Sequence, residues 1–257
     1  MLFSEIVTSW LPLPNGVSAD RPMFVLTDVH GHADLMKQAI ALAAETSQGH
    51  ELVILGDLTD RGPDSLGCVR AAVAARSDAA FSRVITLMGN HDEVLSGFVH
   101  DPSDEAQRGN VIMMGGRGFL NEFDRDPGAS DVLEAYVRGL VRHHANGGLA
   151  LTHALPDPNL PLRDQKDSTL AWNSGHQDYR GGWDSLLGRP TILVHGHVRN
   201  GVTLLDKPLH EAEEQMFSTL SRCRRICCDV GTPWTNEVAL FEFVGEHFRA
   251  HGFKRTA

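Results

Sequence analysis

The chain has 257 residues, with 23 Lys and Arg against 33 Asp and Glu and 42% hydrophobic residues, enough apolar material for one large domain with its own core. Its formal net charge of −10 argues against a surface built to neutralise nucleic-acid phosphates or anionic lipid, both of which rely on clustered Lys and Arg. The longest apolar runs are too short to cross a bilayer, and MLFSEIVTSWLPLPNG carries Glu5 and no basic residue ahead of its apolar stretch, unlike a secretory signal. Cys68, Cys223, Cys227 and Cys228 lack Cys-x-x-Cys spacing in a chain too large to need disulfides, so a soluble cytoplasmic protein is expected. The 14 histidines direct attention to metal or proton chemistry.

In chain order, short runs rich in Val, Ile and Leu predict buried strands at Met23–Thr27, Glu51–Leu55, Arg83–Met88, Gly148–Thr152 and Thr191–His195. Between the first three, apolar residues three and four apart predict helices over Ala33–Thr46 and Ser65–Arg76. Strand–helix–strand alternation implies a sheet with parallel members and crossover helices. Further helices are expected from Asp92 and over Asp131–Arg142. Asp101–Ser130, rich in Gly, Asp, Asn and Arg, reads as a lobe, part of an irregular cap-like segment near residues 101–145. After Val198 the pattern suggests antiparallel strands at Gly201–Leu205, Arg225–Asp229 and Glu237–Val244, with a helix over Leu209–Cys223. No internal repeat is evident.

Polar clusters close those strands, where open α/β sheets place their ligands. They are Asp28-Val29-His30-Gly31, then Gly56-Asp57-Leu58-Thr59-Asp60-Arg61-Gly62, Gly89-Asn90-His91-Asp92, His153, and His195-Gly196-His197. Each cluster alone reads more readily as a turn or a satisfied polar residue; their convergence on one edge is what random loops seldom produce. Asp28 and His30 leave a strand end on one side and can grip one cation together. Asp57 has two oxygens and can bridge two cations ~3.5–4 Å apart, with Asn90, His153 and His197 completing the second. Oxygen and imidazole donors without thiolate suit Mn, Fe or Zn better than Ca or Mg, and manganese is the expected ion.

The motifs Asp28-x-His30-Gly31, Gly56-Asp57-x-x-Asp60-Arg61-Gly62 and Gly89-Asn90-His91, in this order and roughly thirty residues apart, resemble those of PPP-type serine/threonine protein phosphatases. These belong to the calcineurin-like metallophosphoesterase superfamily, and the likeness is to their bacterial and phage members and to the related symmetrical diadenosine tetraphosphatases. It runs from about Met23 to Val244. Supporting matches are the Gly-Gly of Val111–Phe123, Thr152-His153-Ala154, Leu170-Ala171-Trp172, Gly196-His197 and Asp229-x-Gly231. The resemblance implies a four-layer α/β/β/α sandwich of two mixed sheets flanked by helices. It also implies one metal at Asp28, His30 and Asp57, and a second at Asp57, Asn90, His153 and His197. A metal-bridging water would attack phosphorus, His91 oriented by Asp60 would be the general acid, and Arg61 would hold phosphoryl oxygens.

The chain departs from that pattern at several positions. The Arg usual two residues after Trp172 is Ser174, so Arg180 or Arg117 is the candidate replacement, with Arg180 preferred. Leu155 stands for the usual Gly, Val198 for the usual Thr, and Arg199 occupies the position of the second His in Gly-His-x-His diesterases. His195 shares a strand face with His197, yet direct ligation by it is not favoured. The expected activity is hydrolysis of phosphate monoesters, with a serine/threonine phosphoprotein as the leading substrate. A nucleotide anhydride such as diadenosine tetraphosphate is the alternative, and a broader phosphodiesterase comes third. A phosphorylated protein or small phosphoester is the expected partner, with neither nucleic acid nor membrane involved. A degenerate binding module is disfavoured by the intact donor set.

Overall fold

The structure, a computed structural model, describes residues 3–199 and 202–255. The chain opens with β1 (Phe3–Val7), β2 (Leu11–Pro12) and β3 (Met23–Leu26), followed by α1 (Ala33–Thr46), β4 (Glu51–Ile54), α2 (Ser65–Ala75) and β5 (Arg83–Leu87). Helices α3 (Asn90–His100), α4 (Glu105–Met113), α5 (Arg117–Arg125) and α6 (Ala129–Arg138) come next, and then β6 (Leu140–Val141), β7 (His143–Asn146) and β8 (Leu149–Thr152). The last part carries α7 (Asp167–Trp172), α8 (Asp184–Leu187), β9 (Ile192–His195), α9 (Leu209–Cys223), β10 (Arg225–Cys227), α10 (Thr232–Thr235), β11 (Glu237–Val244) and β12 (His247–Arg255).

Among the described residues the strands form two mixed sheets. The first runs β1-β12-β11-β3-β4-β5-β6, with β2 also on β12, and the second runs β10-β9-β8-β7. β3, β4, β5 and β6 are parallel, as the strand–helix alternation requires, and β8, β9 and β10 are parallel in the second sheet. Side-chain alternation assigns the layers. Phe24, Leu26, Leu52 and Ile54 face the helices α1, α2, α3, α5 and α6, while Met23, Val25, Val53 and Leu55 face Leu149, Leu151, Ile192 and Val194 of the second sheet. Ala150, Leu193 and Cys227 turn outward onto Trp183 and Leu186 of the α8 region. The fold is therefore the expected sandwich of two mixed sheets flanked by helices, and each fully buried Leu, Phe or Met contributes ~1.5–3 kcal/mol. At the edge opposite the polar clusters, Glu51 of the first sheet accepts from His144 (3.0 Å) and Asn146 (3.3 Å) of the second, which holds the two sheets together there.

Several expectations are corrected. Helix α3 starts at Asn90 rather than Asp92, because the Asp92 carboxylate reaches back to the Gly89 amide (3.0 Å) and starts the helix earlier. Gly139 ends α6 at Arg138, four residues short of the expected Arg142, and frees Leu140–Val141 to pair with β5. The segment near residues 101–145 is not irregular: Asp104 caps α4, accepting from the Ala106 amide at 2.7 Å, and α5 and α6 bury Phe119, Leu120, Leu133 and Tyr136. Gly201 lies outside the described residues. The rest of its expected strand, Val202–Leu205, is coil whose Leu204 amide donates to Glu237 at 2.6 Å. β10 ends at Cys227 and is parallel to β9, not antiparallel.

Candidate metal centre and active site

The polar clusters follow the carboxyl ends of five parallel strands, three from the first sheet and two from the second, and face one another across the seam. The first two are locked together by main-chain bonds. His30 N donates to Asp57 O (3.0 Å) and Gly31 N to Leu58 O (2.8 Å). The loops cross at Gly31 and Gly62, where a Cβ added to Gly62 would lie 2.1 Å from the His30 carbonyl. His30, Asp57, Asp60, Arg61 and His197 all have φ between 42° and 71°, the left-handed region that non-glycine residues adopt where surrounding structure imposes it.

Two donor clusters share Asp57. In one, ring or carboxylate atoms of His30, Asp57 and His91 lie within 4.8 Å of one another; in the other, those of Asp57, His153 and His197 do. Each histidine is aimed. His30 Nδ1 donates to Thr59 O (3.0 Å) and His153 Nδ1 to Leu55 O (2.9 Å), which turns both Nε2 atoms toward Asp57, at 3.8 and 3.4 Å from Oδ2. His197 Nε2 donates to Trp172 O (3.2 Å), so its Nδ1 lone pair meets Asn90 Oδ1 at 3.0 Å, and Asn90 Oδ1 is also 3.3 Å from His153 Nε2. Such a gathering of carboxylate, amide and imidazole atoms needs shared positive charge, either a proton as on His153 or a metal cation. Asp28 fits the same account: its Oδ2 takes the His197 amide (3.0 Å), while its Oδ1 is buried with no hydrogen-bond partner.

The electrostatics agree. Burial, with Asp229 and Asp57 nearby, pushes the Asp28 carboxyl well up, the response of clustered carboxylates short of positive charge. Burial also opposes charge on Asp57, but His153 and His91 outweigh it and hold that carboxyl well below its usual range. Against the effect of burial, Asp57 and Asp28 raise His153 to about 10. Burial instead lowers His30 to about 3 and His197 to about 4, keeping them in the neutral form that can ligate. The donors thus fit a pair of divalent cations at Asp28, His30, Asp57, Asn90, His153 and His197.

Beside them, His91 Nδ1 donates to Asp60 Oδ2 at 2.6 Å, and its main-chain N–H donates to Asp57 Oδ1 at 3.0 Å. The Arg61 guanidinium spans the pocket, 3.0 Å from His30 Nε2 and 2.8 Å from His91 Nε2. The other candidates are not gathered here. Arg180 is exposed between α7 and α8, and among the described residues no hydrogen bond or ion pair joins it to the site. Arg117 opens α5, near the point where Arg61 N donates to Gly115 O at 3.2 Å. His195 is fully buried with Nδ1 on Gly196 O and Nε2 accepting from Arg225 at 2.7 Å, so it presents no lone pair to the site. Sequence reasoning missed two supports. Asp92 accepts from Asp57 N (2.7 Å) and Tyr136 Oη (2.8 Å), and Trp234 lies beside the guanidiniums of Arg61 and Arg199, 5.4 and 5.0 Å from its ring centroid. Gly-Asn-His-Asp offered a signal for Asp92 as an N-terminal capping residue; nothing local marked Trp234.

A family model for calcineurin-like phosphoesterases matches residues 21–223. Two curated proteins named bis(5'-nucleosyl)-tetraphosphatase, symmetrical, are similar: one from Acidovorax sp., 31% identical over 51% of this chain and 43% of its own, and one from Aromatoleum aromaticum, 27% identical over 59% and 53%. The chain thus spans about half the length of these relatives. Among solved structures, one of a protein provisionally described as a diadenosine tetraphosphatase superposes with a TM-score of 0.57 at 21% identity, covering 90% of this chain and 93% of that one. A metallophosphoesterase from Sphaerobacter thermophilus gives 0.52 at 17%, covering 92% and 88%.

Proposed function

The chain belongs to the calcineurin-like phosphoesterase family, and from that premise we propose that it is a dimetal hydrolase of nucleoside polyphosphates, cleaving symmetrical dinucleoside tetraphosphates of the diadenosine kind. The observation that carries the chemistry is the pair of donor clusters sharing Asp57 beside the His91–Asp60 pair. The substrate class is supported by the names of the two curated relatives and by the exposed Trp234 ring beside the guanidiniums of Arg61 and Arg199. The phosphoprotein reading expected from the motifs is kept as the second outcome of the test below, since the leading motifs resemble those of both groups.

Asp28, His30 and Asp57 would hold one divalent ion, and Asp57, Asn90, His153 and His197 the other. When bound, the ions would activate a water and neutralise phosphate charge. The chain's own groups do the rest. Arg61, set between His30 and His91, offers its planar fork to the phosphoryl oxygens. In hydrolysis the water oxygen bonds to phosphorus while the bridging P–O bond breaks, and the departing nucleoside diphosphate oxygen takes a proton. His91 Nε2 is placed to give it. Asp60 fixes the ring through its bond to Nδ1. Arg61 must then leave Nε2, as it does when substrate oxygens compete for its N–H groups.

Purified protein supplied with Mn²⁺ should hydrolyse diadenosine tetraphosphate with higher kcat/KM than a phosphoserine peptide or bis-p-nitrophenyl phosphate. A phosphoserine peptide ahead of the dinucleotide would install the phosphoprotein reading in its place.

A further inference from the structure

Trp234 is 58% exposed although it sits on α10, two residues from a helix contact that belongs to the site itself: Thr232 Oγ1 donates to the Asp28 carbonyl at 2.8 Å. An indole left in water adds little to folding, and what sets this one apart is its position over two guanidiniums at the site. Its neighbours define the chemistry of a ligand that would meet it. Arg61 and Arg199 lie 5.4 and 5.0 Å from its ring centroid, and Arg61 is the same guanidinium that contacts His30 and His91. Arg199 is itself held: its stem crosses Gly231, where φ is +73° and an added Cβ would fall 2.2 Å from Arg199 Cδ. A flat aromatic surface therefore stands one guanidinium away from the phosphoryl position, with a second cation beside it. A planar π-system joined to a chain of phosphates satisfies both features at once.

We propose that Trp234 is the stacking platform for a nucleobase of the substrate and that Arg199 positions its ring and meets the phosphates between base and reacting phosphorus. This rests on the nucleotide reading above and adds to it a residue that sets specificity. Bare phosphomonoesters lack the group that Trp234 would recognise.

The test uses the full chain as wild type, Trp234→Ala and Trp234→Phe, with the melting temperature of each checked first. The expected result for Trp234→Ala is a ratio of KM for diadenosine tetraphosphate to KM for inorganic tetraphosphate that rises roughly 5- to 100-fold, with Phe restoring most of it, as a stacked base predicts. ATP should also quench a part of the indole fluorescence present in wild type and missing from Trp234→Phe. An unchanged KM ratio in the Ala variant overturns the platform while active hydrolysis of the dinucleotide leaves the functional reading intact. Quenching of the Trp234 component by ATP in an enzyme that does not cleave the dinucleotide does the reverse. A KM that rises for a phosphoserine peptide and not for the dinucleotide assigns the indole to peptide recognition and overturns the base platform.

Discussion

At the scale of single residues, the proposed mechanism separates proton transfer from metal binding. His91 is fully buried with Nδ1 on Asp60 and only Nε2 turned to the pocket. His91→Asn should retain the metals and lower kcat by ~10²–10⁴-fold, the worth of a positioned general acid. The loss should be smaller with p-nitrophenyl phosphate, whose leaving group needs little protonation, than with a phosphoserine peptide, whose alkoxide needs a proton; equal losses on these two substrates would remove His91 from that role. Tyr136→Phe tests a second contact, since the phenol donates to the fully buried Asp92 carboxylate that also receives the Asp57 amide. Stranding a buried acceptor should cost ~1–3 kcal/mol in urea unfolding. A variant as stable as wild type would show that Asp92 carries a proton there or finds another donor. The residues that form the candidate donor clusters were legible because most of them adjoin a strand end in Asp-x-His, Gly-Asp or Gly-Asn-His. The placement of Trp234 beside Arg61 and Arg199, and the contacts of Asp92 with Asp57 and Tyr136, were not, because they are set by tertiary contacts between segments far apart in the chain.

At the scale of elements, β12 is pinned to α1 by Arg255, whose guanidinium donates to both Asp34 oxygens at 3.0 and 2.8 Å. Burial alone would raise the Asp34 carboxyl, but the hydrogen bond from Arg255 outweighs it and lowers the pKa. A carboxyl lowered on folding adds stability above its unfolded pKa of about 3.9 and loses it as pH falls through the folded value. With both partners about 30% exposed and screened by solvent, Asp34→Asn should cost less than ~1 kcal/mol at pH 7 and nothing at strongly acid pH. A cost that persists unchanged in acid would point to packing rather than charge. The element itself was invisible in the sequence: His-Phe-Arg-Ala-His-Gly-Phe-Lys-Arg carries charge on a strand that β1 and β11 cover on both edges. Ala33–Thr46 and Leu209–Cys223, by contrast, were read to the residue, because a helix with one buried stripe declares its own period. The region near residues 101–145 was misread by composition, since its Gly and Asp residues serve as helix ends and caps rather than as loop.

At the scale of the molecule, two sheets are fastened at one edge by Glu51, His144 and Asn146, and at the other the loops that carry the candidate ligands face one another. Divalent ions binding there would join Asp28 and Asp57 of the first sheet to His153 and His197 of the second. Chelator-treated protein should therefore melt roughly 5–10 °C below protein holding Mn²⁺ at a hundredfold excess over its Kd, from ~2.7 kcal/mol of linkage. Identical melting temperatures would contradict a metal-bridged seam. Among the described residues no helix is long and apolar enough to cross a membrane.

The crossing of the first two loops carries one more consequence. Gly31 and Gly62 approach so closely that a Cβ on either would meet the other's main chain at 2.8–3.1 Å. Neither residue carries a side chain that could touch substrate or metal. In a survey of random variants, inactivating changes should therefore cluster at these two silent positions as densely as at the ligands, whereas the exposed faces of α4 and α5 should accept most replacements. Such a map would show that the catalytic geometry is inherited from the spacing of two backbones, and that the ligands are only its visible part.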